Sequence, residues 1–96
     1  MSTYIVLGNF TDQGIRNIKD TTKRASAVKE AAAKFGASVT KLYWTLGAYD
    51  VVTIVDAPDD QAVAALLFSI GSLGNVRTQS LKAFEADDVE GILKKI

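Results

Sequence analysis

Apolar and β-branched residues concentrate in four segments whose pattern predicts β-strands, at residues 3–10, 39–46, 50–56 and 75–84. Only residues 47–49 separate the second and third segments, so these two strands are expected to form a hairpin. Other segments carry apolar residues at the three- and four-residue spacing of helices. This spacing predicts a longer helix at residues 22–35, and N-cap residues after the first strand predict a short helix near residues 12–18.

The third and fourth helices are marked by capping signals and apolar stripes. The third begins either with Asp59 as its N-cap or with Pro58 as its first residue, and Gly74 ends it. Its stripe consists of Val63, Leu66, Leu67, Ile70 and Leu73. A terminal helix is predicted with Asp87 as the N-cap of a capping box that Glu90 completes. Its apolar side consists of Val89, Ile92, Leu93 and Ile96.

The predicted elements follow one another in the order β-α-β-β-α-β, and a tail helix comes last. This order folds compactly as a four-stranded antiparallel sheet that carries both main helices on one face. No linker, repeat or low-complexity stretch divides the chain. We therefore predict a single α+β domain of the ferredoxin-like βαββαβ kind over residues 1–96, with a C-terminal tail helix.

Strand alternation sorts the sheet residues into two sets, and both sets are rich in apolar side chains. The uniformly apolar set is predicted to pack under the helices: Ile5, Leu7, Leu42, Trp44, Leu46, Val52, Ile54, Leu81 and Ala83. The other set is predicted to form the open face: Tyr4, Val6, Phe10, Val39, Lys41, Tyr43, Thr45, Val51, Thr53, Val55, Val76, Thr78, Ser80, Lys82 and Phe84. Soluble monomers rarely leave so much apolar area open, so something is expected to cover this second face.

Two occupants can cover the second face. A second copy of the chain, packed face to face across a two-fold axis, would bury it and make the protein a homodimer or a larger homo-oligomer. A partly polar cavity for a small molecule would then lie between the sheets. The residues predicted to bind that ligand are Tyr4, Tyr43, Thr45, Thr53, Thr78 and Ser80. The alternative is that the terminal helix of the same chain covers the face.

The composition argues against several classes of binding partner and of catalytic chemistry. Eleven Lys and Arg balance 11 Asp and Glu, and this zero net charge argues against a nucleic-acid partner. The absence of Cys and His removes thiol catalysis, Fe–S clusters and the commonest zinc ligands, so neither a metal nor a cofactor is expected. The longest apolar run, residues 62–68, is too short to span a bilayer, and the start lacks the basic residues of a signal peptide. A cytoplasmic protein without membrane contacts is expected.

Three blocks of sequence resemble one known family. Residues 43–52 read YWTLGAYDVV, and this block resembles the signature of the GYD domain family, named for Gly47, Tyr49 and Asp50. Residues 10–15 and 73–78 are similar to the same family. The resemblance covers residues 3–84 and implies a ferredoxin-like fold related to the dimeric α/β-barrel proteins, but no particular activity. These three residues also suit structural roles: Gly47 in a tight turn, Asp50 capping turn amides and Tyr49 bonding a backbone group.

Two classes of function remain open. The first is a homo-oligomeric module that binds a small, partly apolar molecule or serves as a subunit. The second is a cofactor-independent enzyme, of the oxidation or isomerisation type, that uses Tyr43 with Lys82 or Arg77 in the inter-sheet cavity. The residues able to carry such chemistry are Tyr43, Tyr49, Asp50, Lys82, Arg77 and Arg16. No phosphate loop, dinucleotide-binding motif or Ser–His–Asp set is present.

Overall fold

A computed structural model describes residues 1–96. Its elements in chain order are β1 (Ser2–Phe10), α1 (Asp12–Arg16), a 3-10 turn (Ile18–Asp20), α2 (Thr21–Lys34), β2 (Ser38–Trp44), β3 (Val51–Ala57), α3 (Asp60–Ser72), β4 (Val76–Ala83) and α4 (Ala86–Leu93). The four strands form one antiparallel sheet in the order β2-β3-β1-β4. The predicted α+β, ferredoxin-like fold is confirmed. None of the helices combines the length and the apolar composition needed to cross a membrane.

Side-chain caps define where the helices begin. The Asp59 carboxylate accepts the Ala62 amide at 2.8 Å, so the first of the two predicted starts of α3 is the correct one. Helix α4 departs from the prediction, because its N-cap is Glu85 rather than Asp87, and Asp88 completes the capping box. The backbone is still extended at Glu85, and the Glu85 amide donates to the Asp88 carboxylate at 3.0 Å. The helix therefore begins two residues earlier than predicted.

The helices pack on the side of the sheet that was predicted to be open. The core consists of Tyr4, Val6, Val55 and Ala57 from the sheet, Ala32 from α2, Val63 and Leu66 from α3, and Ala37 from the segment between α2 and β2. The strand register adds Phe10, Val51, Thr53, Val76, Thr78, Ser80 and Lys82 to this helix-covered face. The opposite face carries Ile5, Leu7, Val52, Ile54, Leu81 and Ala83, which were predicted to lie under the helices. The face assignment is thus wrong for β1, β3 and β4.

The error has a physical cause in each part of the sheet. Both faces are apolar, so hydrophobicity alone does not rank them, and the helices leave Thr78 and Ser80 exposed on the face they cover. In β2 a bulge changes the phase, because Thr40 and Lys41 both lie opposite Ile54. Val39 therefore lies on the helix side, whereas Lys41 and Tyr43 lie on the open face as predicted, and Leu42 and Trp44 lie under the helices as predicted. Leu46 lies in the turn beyond β2 and is fully exposed.

Helix α4 does not cover the open face of its own chain. Every residue of α4 is exposed, including the predicted apolar stripe of Val89, Ile92 and Leu93. The helix lies beside the end of the sheet where Thr3 pairs with Ala83, and a groove lined in part by Met1, Thr3, Ala83 and Ile92 separates the two. The radius of gyration is 14.3 Å, whereas a compact domain of this length has about 12.5 Å. The tail helix therefore extends the molecule.

Candidate functional site

Three segments of the chain meet where β1 ends and β4 begins. The segment after β1, the β2–β3 connection and the segment leading into β4 are the three blocks that carry the family resemblance. The Thr11 amide donates to the Asn75 carbonyl at 3.1 Å, and the Asp50 amide donates to the Gly8 carbonyl at 2.9 Å. We call this region the motif end of the sheet, and its backbone bonds make one unit of segments that are distant in sequence.

Asp50 attaches the β2–β3 connection to β1. Its carboxylate accepts the Phe10 amide at 2.9 Å, and its carbonyl accepts the Thr45 amide at 2.8 Å. The carboxylate was expected to cap turn amides, but its partner is the last amide of the neighbouring strand. A buried amide without a partner costs about 1–3 kcal/mol, so this contact stabilises the end of β1.

Tyr49 and Gly47 complete the connection. The Tyr49 hydroxyl donates to the Gln79 side-chain carbonyl at 3.4 Å, so its ring reaches from the β3 side of the sheet to β4. The partner is a side chain and not the backbone group that was expected. Gly47 has a φ of +111°, which favours glycine and confirms its predicted role in the turn. The GYD residues therefore hold the motif end together.

Gly14 permits the closest approach at the motif end. A Cβ atom on Gly14 would lie 2.1 Å from the Asn75 carbonyl oxygen, so only glycine fits between α1 and the start of β4. Gln13 reinforces the same contact, because its side-chain amide donates to the Leu73 carbonyl at 3.0 Å and to the Asn75 side-chain oxygen at 2.9 Å.

An apolar cleft of about 190 Å³ lies between α2 and α3 above the sheet. Thr53, Thr78 and Val6 form part of its floor, and Val28 and Ile70 belong to its helical walls. Phe10, Trp44 and Asn75 also line it, so the motif end borders the cleft. Protein interiors seldom contain voids much larger than a water molecule, so a space of this size is a candidate binding site.

Arg24 is the one charged residue that lines the cleft. Its guanidinium donates to the Asn17 carbonyl at 2.6 Å and to the Gly14 carbonyl at 3.2 Å, and it lies 5.9 Å from the centre of the Phe10 ring. No carboxylate lies within ion-pair distance of Arg24, since the molecule's one salt bridge joins Lys82 to Asp60. Because carbonyl groups do not neutralise a cation, Arg24 keeps its full positive charge beside an apolar space.

Tyr4, Asp60 and Lys82 form a polar cluster where α3 begins. The Tyr4 hydroxyl donates to the Asp60 carboxylate, whose oxygen lies 3.2 Å from the Lys82 ammonium nitrogen. The hydrogen bond to Asp60, together with burial, raises the pKa of Tyr4 above its usual value. The bonds from Tyr4 and Lys82 lower the pKa of the Asp60 carboxyl. This cluster fastens the start of α3 to β1 and β4.

The residues predicted to bind a ligand are distributed over several places. Thr53 and Thr78 line the cleft, and Ser80 lies on the same face of β4. Tyr4 is buried in the core, while Thr45 lies in the β2–β3 connection, where its hydroxyl donates to the Tyr49 carbonyl at 2.6 Å. Tyr43 lies on the open face and is half exposed. One chain therefore brings only part of the predicted set to one cavity.

The residues proposed for catalysis do not meet within one chain. Lys82 lies on the helix-covered face, whereas Tyr43 and Arg77 lie on the open face of the two edge strands, β2 and β4. Arg16 is exposed on α1. Sequence reasoning missed Arg24 as a site residue, because nothing in its local pattern separates it from the other basic residues of residues 11–36.

Comparison with known proteins extends the resemblance at the motif end. The sequence profile of the GYD domain matches residues 4–93, which is essentially the whole chain. The chain belongs to the GYD domain family. The motif end is thus the part of the structure in which the namesake Gly, Tyr and Asp of this GYD domain come together.

Two matches from Thermus thermophilus are similar to this GYD domain along nearly their whole length. A protein named glutamine synthetase and cystathionine beta-lyase binding protein is 36% identical over 95 residues, which are 98% of this chain and 100% of the relative. A crystal structure of a chain from the same species has a TM-score of 0.58 and 31% identity, covering 90% of this chain and 96% of that one.

A Mycobacterium tuberculosis feast or famine regulatory protein, solved with L-methionine, is similar in fold to this GYD domain. It has a TM-score of 0.68 and 22% identity, and the match covers 90% of this chain but 52% of the regulator. At this identity the likeness shows the ferredoxin-like fold and nothing about ligands.

Proposed function

We propose that this GYD domain is a cytoplasmic, homo-oligomeric binding subunit that docks on a metabolic enzyme. The observation that carries the proposal is the 36% identity, over nearly the full length of both chains, to a protein named for binding glutamine synthetase and cystathionine beta-lyase. The exposed apolar surfaces of the chain support the same role, since a binding subunit must present such surfaces.

The open sheet face is the proposed surface of self-association. Ile5, Leu7, Val52 and Ile54 form its centre, and Leu81 lies at its edge with 42% of its surface exposed. No helix of the same chain packs on these residues. A second copy presents an identical apolar face, so two sheets stacked about 10 Å apart would bury both.

The area of the face indicates that α4 takes part as well. Four strands about 4.8 Å apart and seven residues long give a face of about 440 Å², so two stacked sheets bury about 900 Å². A stable interface buries about 1,200–2,000 Å², so the sheets alone fall short. The apolar side of α4, with Val89, Ile92 and Leu93, lies beside this face and is itself unpartnered. In the proposed assembly this stripe supplies the remaining area.

The oligomeric state tests this part of the proposal. Native mass spectrometry of the unaltered chain at micromolar concentration is expected to give a dimer or a larger oligomer. Leu81→Lys places a charge on the open face and is expected to give a folded monomer. Phe68→Lys is the matched control, because Phe68 is exposed on α3, away from the open face, and this variant should remain oligomeric. An unaltered chain that is monomeric would contradict the proposal.

Binding to the enzymes is tested separately. Purified glutamine synthetase and purified cystathionine β-lyase are each passed over the immobilised chain, and an unrelated enzyme of similar net charge serves as the control. Saturable binding of at least one of the two enzymes, with no binding of the control, is expected. If neither binds at micromolar concentration while the chain is oligomeric, self-association stands and the enzyme-binding role fails.

A further inference from the structure

The cleft between α2 and α3 has a defined shape and one charged side chain, that of Arg24, and the proposed subunit role involves neither. Its walls carry small residues, since Ala25, Ala27 and Ala31 of α2 line it, and Gly8 of β1 lies in its floor. Larger side chains at these positions would fill the space between helices and sheet. The cleft therefore exists because the helices and strands present small side chains to each other there.

The size of the cleft fits a small organic molecule. Its volume is about 190 Å³, whereas an apolar protein cavity of about 150 Å³ is large enough to bind benzene. The ligand body therefore has room for about six to eight carbon atoms. The floor offers the Thr53 and Thr78 hydroxyls, but most of the lining residues are apolar, so the body of the ligand must be largely apolar as well.

The charge beside the cleft fits an anion. A guanidinium has five N–H donors, and Arg24 uses donors on two of its nitrogens for the Asn17 and Gly14 carbonyls. Asn75 also lines the cleft, where its side-chain oxygen accepts the bond from Gln13 and its side-chain nitrogen makes no hydrogen bond within the chain. No carboxylate lines the cleft, so nothing there neutralises Arg24 or attracts a cationic ligand.

We propose that this cleft binds a monocarboxylate with an apolar body of about six to eight carbons. The carboxylate bonds to Arg24 at the motif end, and the apolar body lies over Val6 and Thr53, between Val28 and Ile70. A charge-assisted bond to Arg24 sets the orientation, and burial of the body supplies affinity. This inference goes beyond the enzyme-binding role and does not depend on it.

The single Trp of the chain lines the cleft and reports its occupancy. Trp44 donates its indole N–H to the Thr21 hydroxyl at 3.0 Å, next to Arg24, so a ligand there changes its surroundings. The full chain is titrated with octanoate while Trp44 fluorescence is recorded, and octan-1-ol and octylammonium serve as the uncharged and the cationic comparison. Octanoate is expected to give a saturable change, octanol to bind about tenfold more weakly and octylammonium not to bind.

Two variants test the charge of Arg24 and the volume of the cleft separately. Arg24→Met is expected to weaken octanoate binding about tenfold and to leave octanol binding unchanged. Arg16→Met is the matched control and should bind like the unaltered chain, since Arg16 is exposed on α1 outside the cleft. Ala31→Leu keeps Arg24 but fills the cleft, so it should abolish binding of both compounds while circular dichroism shows an intact fold.

Each contrary result identifies which part of the inference fails. If octanol binds as tightly as octanoate, the inference that the ligand carries a carboxylate is overturned. Unchanged octanoate binding in Arg24→Met would overturn it as well. The absence of a saturable fluorescence change with any compound would overturn the site itself. If Arg24→Met fails to fold, the comparison of octanoate, octanol and octylammonium on the unaltered chain still decides the ligand class. Native mass spectrometry of the same samples tests self-association separately.

Discussion

Replacing Gly14 with alanine is expected to destabilise the domain by about 3 kcal/mol. The new Cβ would lie 2.1 Å from the Asn75 carbonyl oxygen, so α1 must move by about 0.9 Å even to reach 3.0 Å. Three bonds to backbone carbonyls near the start of β4 depend on the present position of α1: Thr11 amide to Asn75 carbonyl (3.1 Å), Thr11 hydroxyl to Gly74 carbonyl (2.5 Å) and Gln13 side chain to Leu73 carbonyl (3.0 Å). At about 1 kcal/mol net for each bond, their loss accounts for the expected value.

Gly71→Ala is the matched control for this substitution. Gly71 lies near the end of α3, and a Cβ atom there would meet nothing within 4 Å. Because alanine is the better helix former, this variant should be more stable than the unaltered chain by up to about 1 kcal/mol. The same chemical change thus has opposite signs at the two positions.

Urea unfolding followed by circular dichroism measures both effects at one protein concentration. A loss of about 3 kcal/mol corresponds to a fall in Tm of about 12–24 °C for a domain of this size. If Gly14→Ala is as stable as the unaltered chain to within about 0.5 kcal/mol, the close approach of α1 to Asn75 is not a constraint and the reasoning is refuted.

Three further predictions concern the polar cluster of Tyr4, Asp60 and Lys82, the core and the motif end. Because the pKa of Tyr4 is raised, its hydroxyl should ionise only above pH 10. The difference in tyrosinate absorbance between the unaltered chain and Tyr4→Phe measures this ionisation in a pH titration. The free energy of unfolding should fall as the pH rises through the raised pKa. The lowered pKa of Asp60 acts in the opposite direction: its stabilisation is present above pH 3.8, is lost as pH falls through the lowered pKa, and should be absent in Asp60→Asn. Leu66→Ala should cost about 2–5 kcal/mol in urea unfolding, whereas Phe68→Ala on the same helix should stay within about 0.5 kcal/mol, because the two side chains are 1% and 78% exposed. Asp50→Ala should cost about 1–3 kcal/mol and speed hydrogen exchange of the last β1 amide, and unchanged exchange would contradict its role.

The elements and their order could be predicted because each rests on a local signal. Periodicity located the strands, and Gly74, which has a positive φ, ended α3 as expected. The faces of the sheet could not be predicted in the same way. Alternation separates Ile5 from Val6 but does not say which of them lies under a helix, and the bulge at Thr40 has no clear signature in the sequence.

The candidate site was predictable only in part. Thr53 and Thr78 were predicted to bind a ligand in a cavity between two chains, and the structure places both in the lining of the cleft within one chain. Arg24 and Asn75 border the cleft because α2, α3 and the start of β4 converge there. Their proximity joins positions about fifty residues apart in the chain, and no spacing rule for a single helix or strand contains that information.

The bulge in β2 bears on how the length of this strand can change as such proteins diverge. Thr40 is the extra residue, and its hydroxyl bonds to the Ile54 carbonyl at 3.2 Å. In a chain that lacked it, β2 would alternate regularly, with Val39 still opposite Val55 and Lys41 still opposite Ile54. Loss of this single codon would therefore remove the bulge and leave Tyr43 on the open face and Trp44 beside the cleft. Within such a lineage, β2 could change its length by one residue while every side chain of the GYD motif kept its place.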